Sequence, residues 1–291
     1  MIYRVTHVTT YRYEEPASVC HNELRLTPRS GGRQRTRRAQ LRVDPTPSVL
    51  APQVDFFGNQ VHFVALHEPH RQLTVTAKSD VEVAPVETPG ATPSWEATRD
   101  RLRVDRDAAV LAAYQFAFES PHVQTDPDLL AWAVPSFPPG RPLLDAVLAL
   151  TNRIHHDFAY DPDATSVATP VAEVLRERRG VCQDFAHLEI ACLRALGLAA
   201  RYVSGYILTT PPEGSTRLVG ADASHAWLSV WLGDAGWLDV DPTNDLVPSD
   251  QHVTVAWGRD YGDVSPLRGV VLGSAAHDLF VGVNVAPFVA P

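Results

Sequence analysis

The sequence predicts an α+β fold, in which an N-terminal all-β domain is followed by a domain whose cysteine-bearing helix packs on an antiparallel sheet. Two observations support this prediction. Residues 1–83 contain short β-rich runs separated by glycine turns, a pattern typical of a sandwich or barrel. Further along, an apolar repeat of helical period begins at Cys182, and a predicted β-hairpin carrying His225 and Asp241 follows it.

The N-terminal domain is predicted over residues 1–83, and Gly31-Gly32 and Gly58-Asn59 mark turns within it. The arginine-rich stretch from Arg33 to Arg42 is interpreted as a solvated strand or loop, because it is short and the chain as a whole is acidic. The runs with strand character are Ile2 to Tyr13, Leu41 to Val43, Gln60 to Ala65, Leu73 to Ala77 and Val81 to Val83.

Residues 84–139 are predicted to be a linker and helical connection, since prolines cluster at its start and a helical pattern follows. The second domain is predicted over residues 140–291. It begins with a helical apolar stripe from Pro142 to Phe158, and a short helix is expected from Val171 to Arg178. Strands between Val253 and Val289 are expected to return to this domain.

Cys182 stands in the first turn of a predicted helix that ends near Gly197. Free backbone N–H groups and the positive end of the helix dipole favour an anion at this position, so the thiolate of Cys182 should be stabilised. Cys182 is therefore a candidate nucleophile, although a lone cysteine is also commonly a buried structural residue.

His225 and Asp241 lie on the two arms of the predicted hairpin, whose turn is bracketed by Gly233 and Gly236. Because alternate strand residues share a face, the two side chains meet if the turn has three residues or carries a bulge. An even turn without a bulge would separate them. Cysteine, histidine and aspartate in this order can supply a nucleophile, a base and an orienting carboxylate.

Three segments carry a resemblance to a known family. They are Gly180-Val181-Cys182-Gln183-Asp184-Phe185-Ala186-His187, His225-Ala226-Trp227, and Trp237 with Asp241-Pro242-Thr243-Asn244. These segments resemble the bacterial transglutaminase-like superfamily, whose core is papain-like. The resemblance implies that Cys182 is the nucleophile, His225 the general base and Asp241 its orienting partner. Asp239 is the rival carboxylate, and the Asp-Pro-Thr-Asn match favours Asp241.

The resemblance extends beyond these motifs. The stretches from Tyr3 to Tyr13 and from Glu23 to Arg29 look like the β-rich N-terminal region that precedes the core in one bacterial branch of the superfamily. The stretch from Trp257 to Val270 looks like the C-terminal signature of that branch. Residues 84–139 match least.

By this resemblance the chain is expected to be an enzyme that attacks a glutamine carboxamide or a peptide bond and forms a thioester on Cys182. An amine would resolve the thioester by transamidation and water by hydrolysis, so a cysteine protease or amidase is the alternative. A second alternative is a non-catalytic binding module of the same fold. The expected partners are a protein or peptide amide and a small primary amine.

The tetrahedral intermediate of this reaction needs hydrogen-bond donors, and the backbone N–H of Cys182 is the first one expected. A side-chain donor should join it, and Tyr160 and His156 precede the nucleophile closely enough to be candidates. Gln183 and Asp184 are further candidates for this oxyanion site or for its support.

Three tryptophans of the hairpin, Trp227, Trp231 and Trp237, are candidates for the wall of an apolar amine tunnel. Aromatic residues on a hairpin more often pack against each other across the strands, so this second interpretation stays open.

No metal or other cofactor is expected. The chain contains no loop with alternating Asp or Asn and a closing Glu, the pattern of a calcium site. Cys182, His187 and Cys192 resemble zinc ligands by residue type, but about 100° of helical rotation per residue spreads them around the helix.

The net charge of -9 and the pI near 5.7 argue against a nucleic-acid or membrane partner, since both are met with basic surface. The first residues lack the apolar segment of a signal peptide, and no apolar run is long enough to span a bilayer. Three cysteines are too few for a disulfide framework. A cytoplasmic location is therefore expected.

Overall fold

The structure, a computed structural model, describes residues 1–208, 224–273 and 276–288. Two four-stranded sheets lie in the N-terminal region, and a third four-stranded sheet packs with the helices of the second domain. The predicted α+β class with a β-rich N-terminal region is confirmed. Within the described ranges, no helix is long and apolar enough to cross a membrane.

The N-terminal region contributes six strands. They are β1 (Ile2–Ala17), β2 (Val19–Leu24), β3 (Gln34–Asp44), β4 (Val49–Val54), β5 (Gln60–Leu66) and β6 (His70–Val83). Alternating residues of these strands form a buried core that includes Leu24, Val64 and Leu73. β6 joins two runs that were predicted separately, whereas β2 and β4 were not predicted.

The second domain is built around one helix that is buried on nearly all sides. Its elements are α1 (Trp95–Val104), α2 (Ala108–Tyr114), α3 (Pro127–Ala133), α4 (Leu143–Asp157), β7 (Ala159–Tyr160), α5 (Val171–Glu177), β8 (Arg179–Gly180), α6 (Cys182–Ala195), β9 (Ala200–Ile207), β10 (Ser224–Trp231), β11 (Trp237–Val240), β12 (His252–Gly258) and α7 (Tyr261–Val264). The buried helix is α6, which packs against β9 and β10 on one side and against α3, α4 and α5 on the other. The sheet order is β11-β10-β9-β12, with antiparallel neighbours.

The last two strands complete the N-terminal sheets. β13 (Leu267–Leu272) pairs with β2, and β14 (His277–Pro287) pairs with β1. The prediction that the strands from Val253 onward return to the second domain therefore holds for β12 and needs correction for β13 and β14; Val289 lies outside the described residues. The pairing covers one edge of each sheet, which would otherwise expose unpaired backbone groups. The second domain is thus inserted between β6 and β13.

Buried polar side chains fasten the N-terminal sheets to the second domain. Asn59, in a predicted turn, is fully buried and exchanges two hydrogen bonds with the backbone of Trp257 on β12, at 2.9 and 3.0 Å. Gln34 does the same with Thr254, at 2.7 and 2.8 Å. These side-chain amides satisfy backbone groups of β12 that would otherwise be buried without partners.

Candidate active site

The start of α6 is fixed by the residues on either side of Cys182. Asp184 turns back over the first turn, where its Oδ2 accepts the Val181 N–H at 2.8 Å and the Thr165 hydroxyl at 2.6 Å. A Cβ on Gly180 would lie 2.7 Å from that oxygen, so the position has room only for glycine. Burial raises the pKa of Asp184, and the two hydrogen bonds oppose that rise. The Cys182 backbone N–H is thereby held at the helix N-terminus.

The hairpin register brings His225 and Asp241 onto one face. β10 and β11 pair Leu228 with Val240 and Trp231 with Trp237, so residues 232–236 form an odd-numbered turn. The parity predicted for a shared face is confirmed, although the turn is longer than the three residues expected. Asp241 follows β11 directly, and its Oδ2 lies 2.7 Å from His225 Nε2.

Asp241 is fully buried and surrounded by hydrogen-bond donors. Its Oδ1 accepts the backbone N–H groups of Thr243 and Asn244, at 3.0 and 3.2 Å. Its Oδ2 is shared by His225, by the Asn244 side-chain amide at 2.8 Å and by His252 Nε2 at 3.2 Å. A carboxylate with five donors is stable as an anion even without solvent.

The charges of the cluster support each other. Burial alone would raise the pKa of Asp241, but hydrogen bonds from His225 and His252 and the charge of His225 hold it below its ordinary range. Burial would likewise lower the pKa of His225, yet hydrogen bonds and charge from Asp241 and Cys182 outweigh burial and raise it. Because Nε2 of His225 is bound to Asp241, Nδ1 is the ring nitrogen left to serve Cys182.

The exposure of the three cysteines and the contacts of the rival carboxylate both agree with this arrangement. Cys182 is partly exposed, whereas the other two described cysteines, Cys20 and Cys192, are buried. The rival carboxylate, Asp239, accepts the indole N–H of Trp227 at 3.1 Å, and no hydrogen bond joins it to His225 among the described residues. Asp241 is therefore the carboxylate that orients the ring.

The predicted oxyanion candidates are placed unequally. Tyr160 is 58% exposed and pairs with Gly180, two residues before Cys182, and burial and the charge of Cys182 raise its pKa. Tyr202 on β9 was not predicted; burial and then Cys182 raise its pKa as well. His156 is exposed and directs Nδ1 to the Asn152 carbonyl at 2.9 Å, so the structure does not bring it to Cys182.

Gln183, the remaining oxyanion candidate, is partly exposed. Its side chain makes no hydrogen bond to the described residues.

The three hairpin tryptophans differ in their surroundings. Trp231 and Trp237 are cross-strand partners and join a cluster with Phe116 of the region before α3. For these two, cross-strand packing replaces the predicted tunnel wall. Trp227 is fully buried, and its ring lies 5.9 Å from that of His225 and 5.2 Å from that of His252. Its ring packs against both histidines.

Cys182, His187 and Cys192, which resemble zinc ligands by residue type, do not converge. Cys192 faces the Leu129 carbonyl at 3.7 Å, and His187 accepts the Tyr261 N–H at 3.1 Å, so neither is directed toward Cys182. His225, Asp241 and His252 offer one ligand atom each within 4.8 Å of one another. These atoms already hydrogen-bond to each other, which is sufficient to explain their convergence.

His252 and Asn244 are site residues that the sequence did not predict as such. His252 comes from β12, the far strand of the sheet, and reaches Asp241 because that strand lies beside β9. No spacing rule relates it to the motifs. Asn244 belonged to the Asp-Pro-Thr-Asn match, and that motif was the available signal.

Two family models match the chain. The bacterial transglutaminase-like N-terminal region matches residues 3–82, and the transglutaminase-like superfamily matches residues 136–242. The first segment covers β1 to β6, and the second covers Cys182, His225 and Asp241.

Known proteins resemble the chain over different lengths. An uncharacterized protein of Mycobacterium tuberculosis is 43% identical over 98% of this chain and 93% of its own length. A protein-glutamine gamma-glutamyltransferase of Pseudomonas aeruginosa is 38% identical over 42% of this chain, which is 20% of that protein. The crystal structure of "a Putative Cysteine Protease from Cytophaga hutchinsonii" superposes with a TM-score of 0.76 and 23% identity, covering 100% of this chain and 92% of that one.

Proposed function

Because the chain belongs to the transglutaminase-like superfamily, we propose that Cys182, His225 and Asp241 are a catalytic triad for acyl transfer from an amide through a thioester. The substrate class is a glutamine carboxamide or a peptide bond. The observation that carries the proposal is the contact of one imidazole with both partners. His225 binds Asp241 through Nε2 at 2.7 Å, and a hydrogen bond with Cys182 helps to raise the pKa of the ring.

The first half-reaction forms the thioester. The Cys182 sulfur attacks the amide carbon, the carbonyl electrons move to oxygen, and a tetrahedral intermediate results. When the intermediate collapses, the C–N bond breaks and His225 transfers its Nδ1 proton to the leaving nitrogen. Ammonia leaves from a carboxamide and an amine leaves from a peptide. Asp241 keeps the ring oriented and stabilises its charged form throughout.

The second half-reaction releases the acyl group. His225, now neutral, takes a proton from the acceptor as the acceptor attacks the thioester carbon. The C–S bond breaks and the sulfur departs as thiolate, which restores the pair. A primary amine gives an amide product and water gives an acid.

The developing oxyanion faces the N-terminus of α6. The Cys182 backbone N–H is the first donor, and the hydroxyls of Tyr160 and Tyr202, whose pKa values the charge of Cys182 raises, are candidates for the second. Removing one such donor typically costs about 2.7 to 4 kcal/mol in the transition state, a rate loss of about 10²- to 10³-fold. Comparing Tyr160→Phe with Tyr202→Phe under identical conditions identifies the donor.

Transfer to an amine is the form of the reaction that the similarity to a protein-glutamine gamma-glutamyltransferase favours. The direct test incubates the protein with a blocked glutamine peptide and a fluorescent primary amine, and measures ammonia, conjugate and free acid. Conjugate identifies a transferase. Free acid alone identifies the hydrolytic alternative, a cysteine protease or amidase.

The variant Cys182→Ala should release no ammonia while keeping its unfolding midpoint. Cys20→Ala is the matched control, because it changes a buried thiol in the N-terminal sheets and should retain turnover. Turnover that survives in Cys182→Ala would refute the proposal. A folded wild type that binds the peptide without turnover would favour the non-catalytic binding module.

A cytoplasmic location and a protein or peptide partner complete the proposal. Buried free thiols at Cys20 and Cys192 are compatible with a reducing compartment. Cell fractionation tests the location, and recovery of the protein with the periplasmic or extracellular fraction would contradict it.

A further inference from the structure

A cavity lies between the N-terminal sheets and the sheet of the second domain. Its volume is about 400 Å³, and its charged lining residues are Arg29, Arg33, Arg201 and Asp239. The lining includes none of the three triad residues. Three guanidinium groups and one carboxylate therefore share a space that the proposed reaction does not use.

Arg201 is the unusual member of this group. Its guanidinium carbon lies 3.7 Å from the ring centroid of Trp257 and 4.2 Å from that of Trp237, so indoles cover it. Its Nε is buried and has no hydrogen-bond partner, and no described residue accepts a hydrogen bond from the rest of the group. A buried guanidinium N–H without an acceptor is unfavourable unless a ligand supplies one.

The neighbouring arginines have acceptors of their own. Arg29 donates to the Phe57 carbonyl and to Asn59, and it stacks on Trp257 at 3.5 Å. Arg33 donates to backbone carbonyls, including that of Ser249. Their donors are thus partly used, in contrast to those of Arg201.

The surrounding carboxylates compensate the arginines only in part. Burial lowers the pKa of Arg201 to about 10, Asp239 opposes this, and the charge of Arg29 adds to it. Asp239 also lies 4.0 Å from Arg33 and accepts the Trp227 indole N–H. Both contacts use Oδ2, so this carboxylate is not dedicated to Arg201. Asp55 and Asp250 act on Arg29 and Arg33 from outside the cavity lining.

We propose that this cavity binds a carboxylate ligand, with Arg201 and Arg33 as its cationic contacts and Trp237 as its apolar wall. Arg201 and Arg33 both line the cavity and can offer guanidinium N–H groups to an anion there. A planar carboxylate accepts two parallel hydrogen bonds from a guanidinium group. Phosphate can accept such a pair as well, and the apolar wall at Trp237 is the feature that favours a carboxylate attached to an apolar ring.

Titration calorimetry with benzoate tests the proposal, because benzoate combines a carboxylate with a flat apolar ring. Benzamide, its neutral isostere, and inorganic phosphate are the comparison ligands. We expect saturable benzoate binding that weakens at high salt, together with much weaker binding of benzamide and phosphate.

Three variants localise the binding. Arg33→Gln and Arg201→Lys should each weaken benzoate binding about tenfold or more, since each removes part of a charge-assisted fork. Arg37→Gln is the matched control, because Arg37 is exposed and paired with Glu82 on the N-terminal sheets. If Arg201→Lys fails to fold, Arg33→Gln and the benzamide comparison decide the question.

The proposal is overturned by the absence of saturable benzoate binding to the wild type, by equal binding of benzamide, by tighter binding of phosphate, or by unchanged affinity in Arg33→Gln. None of these outcomes depends on amide turnover. A failure here is therefore distinguishable from a failure of the proposed triad.

Discussion

Two buried carboxyl groups of the second domain are in opposite charge states. Asp241 has five hydrogen-bond donors and a lowered pKa. Glu189 on α6 is fully buried, Thr151 is its one hydrogen-bond partner in the part of the chain that the structure describes, and burial raises its pKa to about 8, with a smaller contribution from Asp241. Burial is thus the main cause that favours a neutral carboxyl group, and hydrogen-bond donors oppose it.

The local geometry of Glu189 agrees with a neutral acid. Thr151 Oγ1 lies 2.8 Å from Glu189 Oε1 and 3.0 Å from the Val147 carbonyl, although a hydroxyl has one proton to donate. A protonated Glu189 can donate to this hydroxyl, which then donates to Val147. The other carboxyl oxygen is buried without a partner among the described residues. The surroundings of Asp241 therefore favour a charged carboxylate, whereas those of Glu189 favour a neutral carboxyl group.

The largest loss of activity is expected from substitution of Asp241. Asp241→Asn keeps the shape but removes the anion, so His225 loses the acceptor that orients its ring and raises its pKa. We expect the specificity constant kcat/KM for an amide substrate to fall about 10³- to 10⁴-fold. We also expect alkylation of Cys182 by iodoacetamide to slow near neutral pH. Asp245→Asn makes the same chemical change in the adjoining turn and should have little effect; equal losses in the two variants would contradict the assignment.

Glu189→Gln tests the neutral partner through stability. Between the ordinary carboxyl value of 4.5 and about 8, folded Glu189 holds a proton that the unfolded chain has released. Wild-type stability should therefore fall as pH rises through this window, by up to about 1.4 kcal/mol per pH unit, and the Gln variant should lack that slope. Urea unfolding of both proteins at pH 5 and pH 8 measures the difference. Parallel pH profiles would mean that Glu189 is ionised in the folded protein.

Substitution of His252 removes one of the five hydrogen-bond donors to Asp241. In His252→Leu the loss of a hydrogen bond to a charged group should lower kcat by about tenfold to a hundredfold, with KM little changed. His252→Gln presents an amide N–H near the position of Nε2 and should recover most of the rate. If the Gln variant is as slow as the Leu variant, the ring contact with Trp227 matters more than the hydrogen bond.

Asn244→Ala should have the smallest effect of the series. It removes the side-chain amide from Asp241 but leaves the backbone N–H groups of Thr243 and Asn244 on the other oxygen. We expect a loss of a few-fold in kcat, equivalent to about 1 kcal/mol. A loss as large as that of Asp241→Asn would show that the donors are not interchangeable.

The sequence predicted the parts of the site that depend on local pattern. The start of α6 at Cys182 follows from helical periodicity, and the shared face of His225 and Asp241 follows from strand parity. The sequence did not predict His252, because a distant strand brings it to Asp241. It did not predict the state of Glu189 either, since a helix buried on nearly all sides shows no polar face by which to place it.

The fold likewise contains elements that the sequence predicted and strand pairings that it did not. Individual strands were predicted where apolar and polar residues alternate, but the pairing of β13 and β14 with β2 and β1 joins residues more than two hundred positions apart. Local propensity contains no information on such pairings. Tyr202 and the cavity around Arg201 also depend on elements that meet only after folding.

The insertion of the second domain between β6 and β13 has a consequence for synthesis. β1 and β2 leave the ribosome first, yet their partners β14 and β13 are among the last segments made. During elongation β1 and β2 are edge strands whose backbone groups lack their final partners, which invites pairing with other chains. The inserted domain, by contrast, has the partners of its described strands within residues 159–258 and can form earlier. We therefore expect the nascent chain to bring Cys182, His225 and Asp241 together before its N-terminal sheets are complete.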